Sequence, residues 1–156
     1  MALEIERKFL LKNNGWKAVA DDGTVLKQAY LNTDPERTVR IRIKKDKGYL
    51  TIKGKTVKST RQEFEYEIPF DEANDLLQLC EAPIIEKTRY LVEVNELTWE
   101  IDIFEGVNAG LEVAEIELMN EDQQVILPNW IGKEVTDDAR YYNSSLVSCP
   151  FSLWEK

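Results

Sequence analysis

An α+β fold dominated by antiparallel strands, eight of them closing into a tunnel-like barrel with a few flanking helices, is predicted for this chain. Three observations predict it. Segment after segment alternates charged and apolar residues with the period of two that belongs to a strand. Only 7 glycines and 5 prolines interrupt 156 residues, and no repeat or linker stands out, so one domain spanning 1–156 is expected. The charges are also sorted by segment, acids on some and bases on others. Eight strands make a barrel with room for one small ligand.

The first strand covers residues 2–11. Glu4, Glu6 and Lys8 share one face, Leu3, Ile5 and Phe9 the other, and Arg7 has the wrong parity to join the acids. A short helical or looped piece follows at Gly15–Ala20, then a strand over Thr24–Leu31. Thr38–Lys44 sets Arg40, Arg42 and Lys44 against Val39, Ile41 and Ile43. Asp46-Lys47-Gly48 reads as a hairpin turn into Tyr49–Lys53. Residues 60–69 place Arg61, Glu63, Glu65 and Glu67 on one face and Phe64, Tyr66 and Ile68 on the other.

Asp71 reads as the N-cap of a helix carrying Ala73, Leu76, Leu77 and Cys80, closed off by Pro83. Ile84–Val94 and Leu97–Phe104 form a hairpin about Asn95-Glu96, and a loop from Gly106 to Gly110 leads to a final strand, Leu111–Leu118. Asn120 with Gln123 resembles a capping box for a short helix. Thr136 is placed to cap a last helix through Asp137–Val147.

Composition excludes several chemistries. There is no histidine, which removes Ser-His-Asp and Cys-His catalysis and His-ligated zinc. A net charge of −9 argues against general nucleic-acid binding. No apolar run approaches the roughly 18 residues of a membrane span. No signal peptide is visible, so a cytoplasmic location is expected. Cys80 and Cys149 read as buried, reduced thiols rather than a disulfide or metal pair. Gly54-Lys55-Thr56 has five residues between Gly48 and Gly54 where a P-loop needs four, and it reads as a strand. The four tryptophans are scattered and read as packing residues.

An antiparallel sheet with one solvated face would alternate in the same way. Against that reading, the polar positions are almost all Glu, Asp, Lys and Arg rather than Ser, Thr and Gln. Acidic pairs stand at Glu4/Glu6, Glu63/Glu65, Glu100/Asp102 and Glu115/Glu117, and basic pairs at Arg40/Arg42 and Lys87/Arg89, with Lys8 and Lys53 as singles. Turned inward, such faces need ions or a ligand to complete them, because unpaired buried charge is costly. Clustered carboxylates suit Mg²⁺ or Mn²⁺, and clustered Arg and Lys suit phosphate.

With these residues laid out, the chain resembles the CYTH-domain proteins of the triphosphate tunnel metalloenzyme superfamily. The signature is the ExExK pattern Glu4-Ile5-Glu6-Arg7-Lys8 at the very start. Val39-Arg40-Ile41-Arg42, Thr51-Ile52-Lys53, Arg61-Gln62-Glu63-Phe64-Glu65, Glu86-Lys87-Thr88-Arg89, Trp99-Glu100-Ile101-Asp102 and Ala114-Glu115-Ile116-Glu117 follow in order. It is most similar to the compact bacterial members. The resemblance implies a tunnel that binds triphosphate with a divalent metal and hydrolyses it.

By that resemblance Lys8, Arg40, Arg42, Lys53, Lys87 and Arg89 grip the triphosphate, Tyr30 touches a phosphate or simply packs, and Arg140 contacts substrate from a helix plugging one mouth. Glu4, Glu6, Glu65, Asp102, Glu115 and Glu117 hold metal. Lys8, Glu63, Glu65 and Lys87 are the candidates for catalysis. The implied enzyme acts on a small polyphosphate, as a monomer or homodimer, with neither nucleic acid nor membrane as partner. Thiamine triphosphatase, nucleoside triphosphatase, class IV adenylate cyclase and a non-catalytic polyphosphate-binding module are the alternatives.

Overall fold

Charged faces turned inward leave the apolar faces to be buried elsewhere, and the computed structural model, which describes residues 3–155, shows where. Among the described residues nine strands form one antiparallel sheet. They are β1 (Leu3–Leu11), β2 (Thr24–Asn32), β3 (Arg37–Lys44), β4 (Lys47–Gly54), β5 (Thr60–Ile68), β6 (Glu81–Val94), β7 (Leu97–Phe104), β8 (Glu112–Glu117) and β9 (Ile131–Glu134). The order is β5-β4-β3-β2-β6-β7-β8-β1-β9, and a further β5–β1 pairing closes β1 to β8 into a barrel. At that seam Leu3, Glu4 and Ile5 lie opposite Gln62, Arg61 and Thr60. β9 adds to the same edge of β1 beyond it, at Phe9 and Leu11.

The barrel is polar within and apolar without. Outside β1, β6, β7 and β8, the buried rings of Phe9, Trp16, Trp99 and Trp130 pack together, with Trp99 centred 5.6 Å from Phe9 and 5.8 Å from Trp130. Burying aliphatic or aromatic side chains of this kind is worth roughly 1.5–3 kcal/mol each. These three tryptophans are packing residues, and Trp154 packs edge-on against Tyr141 and Phe151. Outside β2, β3 and β4, α1 (Phe70–Leu77) lays Ala73 and Leu77 on Ala29, Ile41 and Ile43. Its close approach depends on Gly48, where a Cβ would stand 2.3 Å from that of Ala73. A third cluster stoppers one barrel end: the inward-facing Tyr30, Ile85, Phe104 and Val113 meet Leu146 of α2 (Ser145–Ser148).

Several local expectations change. The β3–β4 turn is Lys45-Asp46, with Lys44 opposite Lys47 and Lys45 at φ 58°; Gly48 serves helix packing instead. Pro69, not Asp71, is the N-cap of α1, and Asp71 and Glu72 fall in its first turn, where carboxylates suit the helix dipole. Pro83 lies inside β6 rather than closing the helix, which ends at Leu77. Asn120 and Gln123 cap no helix: Gln123 Oε1 accepts from the Met119 amide, shaping a turn. β8 is followed by β9, so it is not the last strand. The expected helix through Asp137–Val147 breaks into a 3₁₀ turn at Ala139–Tyr141 and the four-residue α2. Both thiols are free, but neither is fully buried: Cys80 is half-buried and Cys149 exposed. No helix among the described residues is long and apolar enough to cross a membrane.

Candidate active site

Away from the apolar end closed by Ile85, Phe104 and Val113, the inward positions are mostly charged or polar and line an open interior, a cavity of about 330 Å³. One wall is basic. Arg40 and Arg42 rise from β3, and Arg40 Nη2 contacts Thr51 Oγ1 at 3.2 Å and Glu65 Oε2 at 3.5 Å. Arg42 is fixed by Gln28 Oε1, at 2.9 Å from Nε and 2.7 Å from Nη2. Burial, with the neighbouring Arg40 and Arg89, lowers its guanidinium.

Beyond β2, Lys87 and Arg89 of β6 converge on Asp102 of β7, which is fully buried. Lys87 Nζ donates to Oδ2 at 2.7 Å, while Arg89 donates from Nε to Oδ1 at 2.7 Å and from Nη2 to Oδ2 at 2.8 Å. Burial would raise the Asp102 carboxyl, but Arg89 and then Lys87 outweigh it and hold it well below the usual carboxylate range. Burial lowers the Lys87 ammonium, against the pull of Asp102 and with the push of Arg89 and Arg42.

The opposite wall is acidic. Glu6 and Glu117 are direct cross-strand partners, and neither has a cation within ion-pair distance among the described residues. Burial, then Glu115 and Glu4, pushes the Glu6 carboxyl up to about 8; burial, then Glu4 and Glu100, raises Glu117. Their neighbours are partnered. Glu115 Oε1 lies 3.2 Å from Lys8 Nζ, and although burial opposes it, Lys8 draws the Glu115 carboxyl down to about 2. Both oxygens of Glu4 accept from Lys53 Nζ, at 3.0 and 2.9 Å, and Glu63 Oε2 lies 3.3 Å from the same nitrogen.

A hard, oxygen-only donor set with two uncompensated carboxylates fits a divalent cation. Among the described residues no three donors converge into a closed cage. Mg²⁺ tolerates that, since it keeps several waters and takes one or two carboxylates plus substrate phosphates.

The sequence matches the CYTH domain model over residues 2–148. The chain belongs to the CYTH family. It is 48% identical over 157 residues to an inorganic triphosphatase of Acetivibrio thermocellus, covering all of both chains. It is 36% identical to an inorganic triphosphatase of Nitrosomonas europaea, over 92% of this chain and 96% of that one. Its fold resembles the crystal structure of an inorganic triphosphatase with a TM-score of 0.65 at 33% identity, over 92% of this chain and 96% of that one.

Within this CYTH domain, the sequence-predicted residues mostly meet. Glu4, Glu6 and Lys8 from β1, Tyr30, Arg40 and Arg42 from β2 and β3, and Lys53, Glu63 and Glu65 from β4 and β5 all line the cavity. So do Lys87, Arg89, Glu115 and Glu117. Two differ. Asp102 lies behind the lining, and both its oxygens accept from Lys87 and Arg89. Arg140 is exposed and held by Asp138, Nη2 to Oδ2 at 2.8 Å, outside the cavity. The predicted long helix does not form, and the guanidinium also lies over the rings of Tyr141 and Trp154, 5.5 and 5.2 Å from their centroids.

Other residues escaped the sequence reading. Arg61 lines the cavity beside Glu4, with Nη2 on Thr38 Oγ1 at 3.2 Å, a buried Nε without a partner, and no carboxylate within ion-pair distance among the described residues. It shares the inward parity of Glu63 and Glu65, which was the available signal. Gln28, Thr51 and Asn143 are neutral, and a search for sorted charge passes over them.

Proposed function

We propose that this chain hydrolyses inorganic triphosphate with the aid of Mg²⁺ or Mn²⁺. One observation carries the reading: among the described residues Glu6 and Glu117 have no cation, and Arg42 and Arg61 no carboxylate, within ion-pair distance, and all four line the same cavity. A polyanion bound together with a divalent cation satisfies both sets at once. The wide identity to inorganic triphosphatases supports the same substrate.

Glu6 and Glu117, with Glu4 and Glu115 beside them, would hold the cation. A divalent ion there offsets phosphate charge and makes water easier to deprotonate. Arg40, Arg42, Arg61 and Arg89 grip the equatorial oxygens, and Lys8 and Lys87 stabilise charge on the leaving oxygens. Glu65 serves as proton acceptor: Oε2 is fixed by Thr51 at 3.0 Å, while Oε1 has no partner among the described residues. Glu63 shares Lys53 with Glu4 and orients that lysine. The enzyme so described is a single domain over 1–156, cytoplasmic, monomeric or homodimeric, acting on a small polyphosphate with no nucleic acid or membrane.

The test is a product assay with tripolyphosphate, pyrophosphate, ATP or thiamine triphosphate, each with Mg²⁺, Mn²⁺ or chelator. Metal-dependent phosphate release greatest from tripolyphosphate is expected. Cyclic AMP from ATP, or tight tripolyphosphate binding without product, would replace the reading with a cyclase or a binding module.

A further inference from the structure

The chain between the 3₁₀ turn at Ala139–Tyr141 and α2 crosses one end of the barrel, where Tyr142, Asn143 and Ser144 line the cavity. Two of its acceptors reach the cations inside. The Tyr141 carbonyl accepts from Lys8 Nζ at 2.9 Å. Asn143 Oδ1 accepts twice, from Lys87 Nζ at 3.0 Å and from Gln28 Nε2 at 3.1 Å.

The second of these bonds matters for Arg42. Gln28 is fully buried, and its Oε1 is the acceptor that fixes the Arg42 guanidinium from two nitrogens. A carboxamide has one accepting and one donating end. With the carbonyl toward Arg42 it attracts; turned over, its NH₂ would oppose a donor. Asn143 receives the NH₂ and thereby decides the orientation. Lys87 in turn requires that Asn143 present its oxygen, since an ammonium only donates. The chain of polarity therefore runs from Lys87 through Asn143 and Gln28 to Arg42, with each link fixing the next.

We infer that Asn143 is a positioning residue for triphosphate hydrolysis, its amide oxygen aligning the Gln28 carboxamide and through it Arg42 while tethering Lys87 on the other side. This rests on the triphosphatase reading above. Packing of the C-terminal segment is the task of Leu146, which is fully buried against the apolar barrel end.

A double-mutant cycle between Asn143→Ala and Gln28→Leu, read as KM for tripolyphosphate, tests it. Each single variant should raise KM about tenfold, the scale of one lost charge-assisted hydrogen bond. The double variant should stay within about threefold of the worse single one, because both break the same chain. Melting temperature, read in parallel, identifies any variant that fails to fold, and KM is taken at a temperature where all are folded. Multiplication of the two effects to about a hundredfold, or an unchanged KM in Asn143→Ala, would overturn the inference with the triphosphatase reading intact. A wild-type protein inert toward tripolyphosphate would overturn the reading itself, and the inference with it.

Discussion

Two cross-strand pairs inside the barrel differ in one respect. On β6–β7, Arg89 faces Asp102; on β1–β8, Glu6 faces Glu117. The first pair is opposite in sign, and Lys87 completes it, so every charge there already has a partner. The second is like-charged, an arrangement that destabilises a sheet by itself. A self-sufficient charge cluster holds the barrel together and aims its cations. An insufficient one is relieved by an added cation, such as the one proposed above. The same contrast separates Arg40, tied to Glu65, from Arg61, which has no carboxylate within ion-pair distance among the described residues.

The largest expected effect breaks the insufficient pair. Glu117→Gln should lower metal-dependent turnover at least about a hundredfold, the scale of a lost metal contribution, in a steady-state phosphate-release assay. Its unfolding midpoint without metal should not fall, since a repelled carboxylate has been removed.

Breaking the self-sufficient cluster should instead destabilise. Asp102→Asn leaves buried Lys87 without its carboxylate and Arg89 with Glu100 alone, and denaturant unfolding should show a loss of about 3–5 kcal/mol. A loss below about 1 kcal/mol would mean that the cluster is not structural.

Arg61→Ala should raise the KM for tripolyphosphate about tenfold, with Arg61→Lys recovering part of it. An unchanged KM would leave Arg61 as a strand residue only.

The pH dependence of stability, measured with chelator present, distinguishes the two carboxylate types. The Glu6 carboxyl rises from its ordinary 4.5 to about 8 in the folded chain, so its contribution is fully present below pH 4.5 and is lost as pH climbs through 8. Glu115 is drawn down to about 2, so its contribution is present above 4.5 and is lost as pH falls toward 2. Glu6→Gln should flatten the first limb and Glu115→Gln the second. The smallest effect is expected of Arg140→Ala, whose KM should stay within about twofold of wild type, because Arg140 is exposed and pairs with Asp138 outside the cavity.

Most of the site is legible in the sequence, and the reason is local. Side-chain parity is fixed by the pleat, so Glu4, Glu6 and Lys8 must share a face and Arg7 must leave it; Arg7 indeed pairs with Glu134 outside the barrel, at 2.8 Å. What the sequence misplaces is whatever depends on a partner. Thr136–Val147 has helical candidates, yet contacts with Lys8, Lys87 and Gln28 tie its middle across the barrel end. Gly48 has the look of a turn residue and proves to be the floor beneath Ala73.

The sequence by itself determined which residues turn inward, the sorting of their charges and hence the class of guest, because a period of two needs only the strand's own backbone. The tertiary structure alone decided which of those charges are spent on one another. Closure of β5 onto β1 set Arg61 beside Glu4, and the β6–β7 register placed Asp102 between two cations. Pairing across strands is non-local, so a Glu or Asp in the sequence reads the same whether its oxygens are bound or free. Asp102 is bound and Glu6 has no cation partner among the described residues, a difference that only the assembled barrel makes visible.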